Sequence, residues 1–133
     1  MTAMGRAGTD GSLVLIVDDD TFVGRAVGMI LRDARQARVQ VARSGDVALP
    51  LAEATRPDLI LVDVNMPGMG PLELCQRLRL TPGLERVPIY LLTGLLPEDA
   101  VLGPLREHVR GIINKPPDPT ELVKALDAAA ADG

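Results

Sequence analysis

Short apolar runs, separated by longer stretches with helical spacing, are the feature that most constrains the fold of this chain. In five runs bounded by turn residues, the odd and the even positions are both mostly apolar. These runs are 13–17 (LVLIV), 39–42 (VQVA), 59–64 (LILVDV), 88–93 (PIYLLT) and 111–114 (GIIN). Strands that are apolar on both sides are covered by helices on both faces, which is typical of a parallel sheet. The alternation therefore predicts an α/β domain of five strand–helix units.

The intervening stretches predict which helix faces pack on the sheet. Apolar residues recur at helical spacing in the first stretch (Phe22, Ala26, Met29, Ile30), the second (Val47, Leu51, Ala54) and the third (Leu72, Leu74, Cys75, Leu78). We expect these faces, Met29 included, to be buried. Asp118 before Pro119 predicts the N-cap of the last helix. Pro50 and the Gly103–Pro104 pair remove backbone donors, so we expect kinks or late starts in the second and fourth helices.

Length, charge and cysteine content exclude several classes of protein. A chain of 133 residues predicts one domain, which we place at 13–131 after a loose tail at 1–12. The net charge of −4 disfavours direct binding of nucleic acid, and Tyr90 and Phe22 are the only aromatic residues that could stack on bases. The single cysteine, Cys75, is expected to be a buried apolar residue and permits no internal disulfide, which fits a cytoplasmic protein. No apolar run is long enough to predict a membrane span.

Polar residues stand where four of the apolar runs end. Asp18, Asp19 and Asp20 follow the first run, Asp63 and Asn65 close the third, Thr93 ends the fourth and Lys115 follows the fifth. Ligands of open parallel sheets bind beyond the carboxyl ends of the strands, so these groups are expected to meet in one crevice. Each group alone is more simply interpreted as part of an ordinary turn or strand end. Only the whole set points to a function.

The residue types in this set favour a magnesium and phosphate site. Clustered carboxylates repel one another unless a cation lies among them, and Mg²⁺ prefers oxygen ligands. Lys115 and Thr93 offer an ammonium and a hydroxyl, which are groups that hold phosphoryl oxygens. An aspartate in such a site can itself be the nucleophile and form an aspartyl phosphate.

Four motifs with these residues occur in order: LIVDDD at 15–20, LVDVNMPGM at 61–69, LLTG at 91–94 and NKPP at 114–117. With them the chain resembles the receiver domain of bacterial two-component response regulators, over about residues 13–130. The resemblance implies a three-layer, flavodoxin-like fold with five parallel strands in the order 2-1-3-4-5.

The resemblance also implies a role for each residue of the set. It implies a phosphoacceptor, Asp63; a magnesium set of Asp18, Asp19, Asp63 and the backbone carbonyl of Asn65; and two phosphoryl-binding residues, Thr93 and Lys115. Asp20 would be a bystander, and the peptide before Pro116 would be cis. The phosphodonor would be a histidine kinase or a histidine phosphotransfer protein. Such a chain is a signalling domain that catalyses at most its own phosphorylation and dephosphorylation.

The chain departs from the family pattern on the side where receivers usually signal. Ile112 stands where the family usually has an aromatic residue, and Gly103–Pro104 interrupts the fourth helix. That helix, the fifth strand and the fifth helix form the face through which a homodimer would assemble. Leu95, two residues after Thr93, is expected to shield the acyl phosphate from water. The downstream partner is not identified by these residues.

Two alternative functions remain open at this stage. A receiver-like scaffold would bind its partner without phosphorylation, as the changes at Ile112 and Gly103–Pro104 suggest. A haloacid-dehalogenase-like phosphohydrolase would use Asp18 as its nucleophile, but Phe22 stands where that family normally has Thr or Val, two residues after its second aspartate. It would also leave Met66–Pro67 unexplained.

Overall fold

Five parallel strands form one sheet in the computed structural model, which describes residues 11–94 and 100–132. The strands are β1 (Leu13–Val17), β2 (Arg38–Ala42), β3 (Leu59–Asp63), β4 (Ile89–Thr93) and β5 (Gly111–Asn114). Their order is β2-β1-β3-β4-β5, and every neighbouring pair is parallel. The predicted fold class and strand order are confirmed, and each strand begins and ends within one residue of its prediction.

In the described residues, three α-helices and a 3-10 helix connect the strands, and a fourth α-helix follows β5. The α-helices are α1 (Thr21–Arg35), α2 (Gly45–Thr55), α3 (Pro71–Leu80) and α4 (Pro119–Asp132). The predicted fourth helix is instead a 3-10 helix, Ala100–His108, here called the 3-10 segment. It contains Pro104, which has no N–H to donate to an α-helical ladder. Pro50 lies inside α2, and the helix starts five residues before it rather than late.

The sheet divides the core into two layers, as expected for central strands whose successive side chains point to opposite faces. One layer joins Val14, Ile16, Leu59 and Leu61 to Val27 and Leu31 of α1 and to Leu122 and Leu126 of α4. The other joins Leu15, Val17, Ile60 and Val62 to Ala48 and Ala52 of α2 and to Leu74 and Leu78 of α3. Strands β1 and β3 are buried along their whole length.

The predicted buried faces of α1 and α2 are wrong at most positions, although Ile30 and Leu51 are partly buried against the core. Phe22 is 79% exposed, Met29 59% and Val47 52%, and Ala26 and Ala54 are also exposed. The buried residues are instead Gly24, Val27, Gly28 and Leu31 in α1 and Gly45, Ala48 and Ala52 in α2. Glycine and alanine let these helices lie close to the sheet, and a search for large apolar residues passes over them. The predictions for Leu74, Cys75 and Leu78 of α3 are confirmed.

Two predictions fall outside the described residues: the first ten residues of the expected tail, and the shielding role of Leu95. Within the described ranges, no helix combines the length and the apolar character that crossing a membrane requires.

Candidate functional site

The carboxyl edge of the sheet brings the predicted polar residues to neighbouring strands. Asp18 directly follows β1 and Asp63 ends β3, the adjacent strand. Thr93 ends β4 and is fully buried, and its register partner on β5 is Asn114, which precedes Lys115. The backbone N–H of Lys115 donates to the carbonyl of Thr93 at 3.0 Å. The pairing of the parallel strands therefore fixes the backbone positions of these residues at the edge of the sheet.

Lys115 bridges the two buried carboxylates. Its Nζ lies 3.0 Å from Oδ2 of Asp18 and 3.0 Å from Oδ1 of Asp63. Asp18 is fully buried and Asp63 is 3% exposed, whereas the lysine side chain is 23% exposed. The Lys115–Pro116 peptide is cis, as the resemblance implied. One ammonium thus contacts two carboxylates from two different strands and offsets only one of their two negative charges.

The loop after β1 is ordered by its own aspartates. The N–H of Asp18 donates to the carbonyl of Ala42, and Oδ1 of Asp18 accepts the N–H of Asp20 at 2.9 Å. Oδ1 of Asp20 in turn accepts the N–H of Phe22 and caps α1. Asp20 is therefore a helix cap, a role that the sequence prediction missed. An aspartate just before a helix is the signal that could have revealed it.

Burial, hydrogen bonds and neighbouring charges all shift the pKa values of Asp18 and Lys115. Burial is the largest influence on Asp18 and raises the pKa of its carboxyl, and the negative charge of Asp63 raises it further. The hydrogen bonds from the Asp20 N–H and from Lys115, and the charge of Lys115, lower this pKa but do not outweigh burial. Burial alone would lower the pKa of Lys115, but its hydrogen bonds to Asp18 and Asp63 and their charges outweigh burial and raise it. The lysine is therefore held firmly in its charged form.

The donor set fits a hard divalent cation. Asp18, Asp19 and Asp63 each offer a carboxylate oxygen, and these three atoms lie within 4.8 Å of one another. Oδ2 of Asp18 is buried and receives no well-directed hydrogen bond, although the ammonium of Lys115 is close. Asp19 is exposed, which leaves one side of the cluster open to water. An oxygen cluster open on one side suits Mg²⁺, which retains part of its hydration shell.

Asn65 occupies the rim of the cluster. Its backbone N–H donates to Oδ1 of Asp63 at 3.2 Å, and its side chain is exposed. This bond closes the turn after β3 around the carboxylate. The predicted ligand role of its backbone carbonyl stays a prediction.

The sequence pattern of the response regulator receiver domain family matches residues 14–127 of this chain. The chain belongs to this family, whose members are receiver domains of two-component response regulators. The family identification and the flavodoxin-like fold predicted from the motifs are thereby confirmed.

The chain is similar to regulators of different lengths. The nitrate/nitrite response regulator protein NarL of Escherichia coli is 34% identical over 89% of this chain and 54% of its own length. Chemotaxis protein CheY-3 of Vibrio cholerae is 32% identical over 86% of this chain and 88% of its own length. The chain thus spans about half of the first relative and most of the second.

A solved structure gives the same fold. The receiver domain of sensor histidine kinase PA1611 from Pseudomonas aeruginosa matches with a TM-score of 0.81 and 26% identity. The match covers 90% of this chain and 98% of that one. That receiver domain has a magnesium ion coordinated in its active site cleft.

Proposed function

We propose that this chain accepts a phosphoryl group on Asp63 in a magnesium-dependent reaction and that phosphorylation changes which proteins it binds. The observation that carries the proposal is the position of Asp63, almost fully buried at the end of a central strand and 3.0 Å from the ammonium of Lys115. A carboxylate held in this way has a fixed direction of attack.

The contacts of Asp63 distinguish its two oxygens. The two polar contacts that the described residues make with this carboxylate, from Lys115 and from the N–H of Asn65, both fall on Oδ1. Oδ2 is thus the oxygen available to attack phosphorus. A bond forms between Oδ2 and phosphorus, the bond between phosphorus and the donor's nitrogen or oxygen breaks, and the donor leaves with that electron pair.

Asp18, Asp19, Asp63 and the backbone carbonyl of Asn65 would hold Mg²⁺. When bound, the ion supplies positive charge next to the phosphoryl oxygens. The clustered carboxylates of this chain and the coordinated magnesium of the PA1611 receiver domain support this assignment.

Lys115 and Thr93 would hold the product. The ammonium of Lys115 balances the charge of Asp63 before transfer and lies within reach of a phosphoryl oxygen afterwards. Thr93 ends the neighbouring strand, from which its hydroxyl would donate to a second phosphoryl oxygen. A receiver of this kind promotes its own phosphorylation and dephosphorylation without being a classical enzyme.

The phosphodonor would be a histidine kinase or a histidine phosphotransfer protein of the cytoplasm. Phe22 is 79% exposed and lies two residues after Asp20, so apolar surface lies beside the acidic loop where a protein donor must approach.

The 3-10 segment, β5 and α4 would form the face for a homodimer or a downstream partner.

The test is the intact mass of the protein after incubation with acetyl phosphate and Mg²⁺. We expect the gain of one phosphoryl group in the wild type and in Asp33→Asn, an exposed carboxylate on α1 that serves as a matched control. We expect no gain in Asp63→Asn or after chelation of the metal.

Two results would contradict the proposal. Phosphorylation that persists in Asp63→Asn would place the acceptor elsewhere. Absence of both phosphorylation and magnesium binding in the wild type would favour the phosphorylation-independent scaffold. The phosphohydrolase alternative is not favoured, because the chain belongs to the receiver family.

A further inference from the structure

A groove runs between α1 and the edge strand β2, on the face of α1 that points away from α4. Its volume is about 460 Å³, in the range of sites that take small ligands and single side chains. Gly24 and Gly28 form its helix side, and Val39 and Val41 form its strand side. Val41 is 41% exposed, although it is a large apolar residue on a strand. The floor of the groove is therefore apolar and open to solvent.

The two glycines create the groove. A Cβ at Gly24 would lie 3.1 Å from a methyl group of Val41, and one at Gly28 would lie 3.7 Å from a methyl group of Val39. With side chains at these positions, the helix would fill the space over the strand.

Two arginines flank this apolar floor. Arg25 and Arg32 both line the groove, and among the described lining residues none is acidic. Nη2 of Arg32 lies over Gly28, 3.6 Å from the position that a Cβ atom at Gly28 would occupy. Within the described part of the chain, neither guanidinium has a carboxylate within 4.0 Å, whereas Arg35 on the same helix pairs with Asp127 at 3.0 Å.

The stretch of chain that forms both sides of the groove is rich in arginine. Residues 21–43 contain five arginines and one aspartate, in a chain of net charge −4. Of these arginines, Arg25 and Arg32 line the groove, where their guanidinium groups attract negatively charged partners and repel basic surfaces. The charge and the apolar floor together define the chemistry of the occupant.

We propose that this groove docks an acidic peptide segment of a partner protein, with one apolar side chain seated on the valine floor between two carboxylates. Arg25 and Arg32 are seven residues apart, about 10.5 Å along the helix. In an extended peptide, residues i, i+2 and i+4 share one face, and i and i+4 are about 13 Å apart. Arginine side chains are long enough to take up this difference. The expected motif is acidic-x-apolar-x-acidic.

Selection from a random ten-residue peptide display library tests this proposal directly, since the library samples every arrangement of acidic and apolar side chains. We expect enriched peptides to carry the motif and to bind Arg25→Glu/Arg32→Glu at least tenfold more weakly. Val41→Asp, which makes the floor polar and negative, should have the same effect. Arg86→Glu, an exposed charge reversal elsewhere, should bind like the wild type. Melting temperatures check that each variant is folded.

Several outcomes overturn the proposal. These are a lack of enrichment, enriched peptides without paired acidic residues, and binding that the double variant retains. Displacement of the selected peptides by a single-stranded oligonucleotide at equal charge would assign the groove to polyanions in general. None of these results depends on phosphorylation of Asp63, so the two proposals succeed or fail separately.

Discussion

Lys115 sets the charge balance at the carboxyl edge of the sheet, because its single ammonium contacts two buried carboxylates. Side chains that reach the site from different strands can be paired in this way only if the strand register is fixed. The register between β4 and β5 places Asn114 beside Thr93 and so fixes the residue after it.

Substituting Lys115 by Met should destabilise the metal-free protein and leave magnesium binding intact. Two carboxylates lose their counter-ion, which costs roughly 2 kcal/mol, less than for a fully enclosed pair because the lysine is 23% exposed. Denaturant unfolding with and without Mg²⁺ measures both effects, and added metal should recover most of the loss. The exposed Lys124→Met is the control. A collapse of magnesium affinity in Lys115→Met would show that the lysine organises the metal ligands.

Cys75 should behave as an inert apolar residue at neutral pH. Burial raises the pKa of its thiol from 9.0 to about 11, so the unfolded chain releases this proton before the folded one. The stability contributed by the neutral thiol is complete below the unfolded pKa and is lost as pH rises from about 9 to about 11.

We expect the unfolding free energy of the wild type, relative to Cys75→Ala, to fall by about 2–3 kcal/mol across that interval. Denaturation curves at several pH values measure the difference. Thiol labelling at neutral pH should be slow until denaturant is added. Rapid labelling of the native protein would mean that α3 opens locally.

Besides its core contacts, α3 is hydrogen-bonded to two later segments of the chain through the side chain of Arg79. Nη1 of Arg79 donates to the carbonyls of Val87 at 2.7 Å and Leu84 at 3.3 Å, and Nη2 donates to the carbonyl of His108 at 3.0 Å. It therefore links α3 to the entry of β4 and to the end of the 3-10 segment.

Arg79→Met should lower the unfolding free energy by about 2 kcal/mol, because three partly buried carbonyls lose a charged donor. Urea denaturation measures the change. Arg77→Met is the matched control on the same helix, since its exposed pair with Glu73 contributes little. Equal effects of the two substitutions would show that water replaces the Arg79 bonds without cost.

At the scale of the whole molecule, the proposed metal site couples ion binding to folding. The ligands come from the ends of β1 and β3, so they lie together only in the folded chain. Mg²⁺ at tenfold its dissociation constant should stabilise the protein by about 1.4 kcal/mol, which raises the melting temperature by roughly 3–6 °C. Thermal unfolding across a MgCl₂ titration measures this. The shift should disappear in Asp18→Asn and persist in Asp46→Asn, whose exposed carboxylate lies on α2.

The sequence by itself determined the local features of this protein. The strands, the Asp118 cap that accepts the N–H of Thr120, and the aspartates at the strand ends could all be predicted. Each depends on neighbours in the chain: short apolar runs form strands, and an aspartate before a proline starts a helix. The position of the site could also be predicted, because parallel strands place all their carboxyl ends at the same edge of the sheet.

Only the tertiary structure decided which helix faces are buried and which side chains pair. Apolar spacing favoured Phe22 and Met29 as core residues, yet α1 packs through Gly24, Val27, Gly28 and Leu31, and a Cβ at Gly24 would lie only 3.1 Å from a methyl group of Val41. The bridge of Lys115 to Asp18 and Asp63 joins residues far apart in the chain. Burial, pKa and groove shape depend on such distant contacts, and no local pattern encodes them.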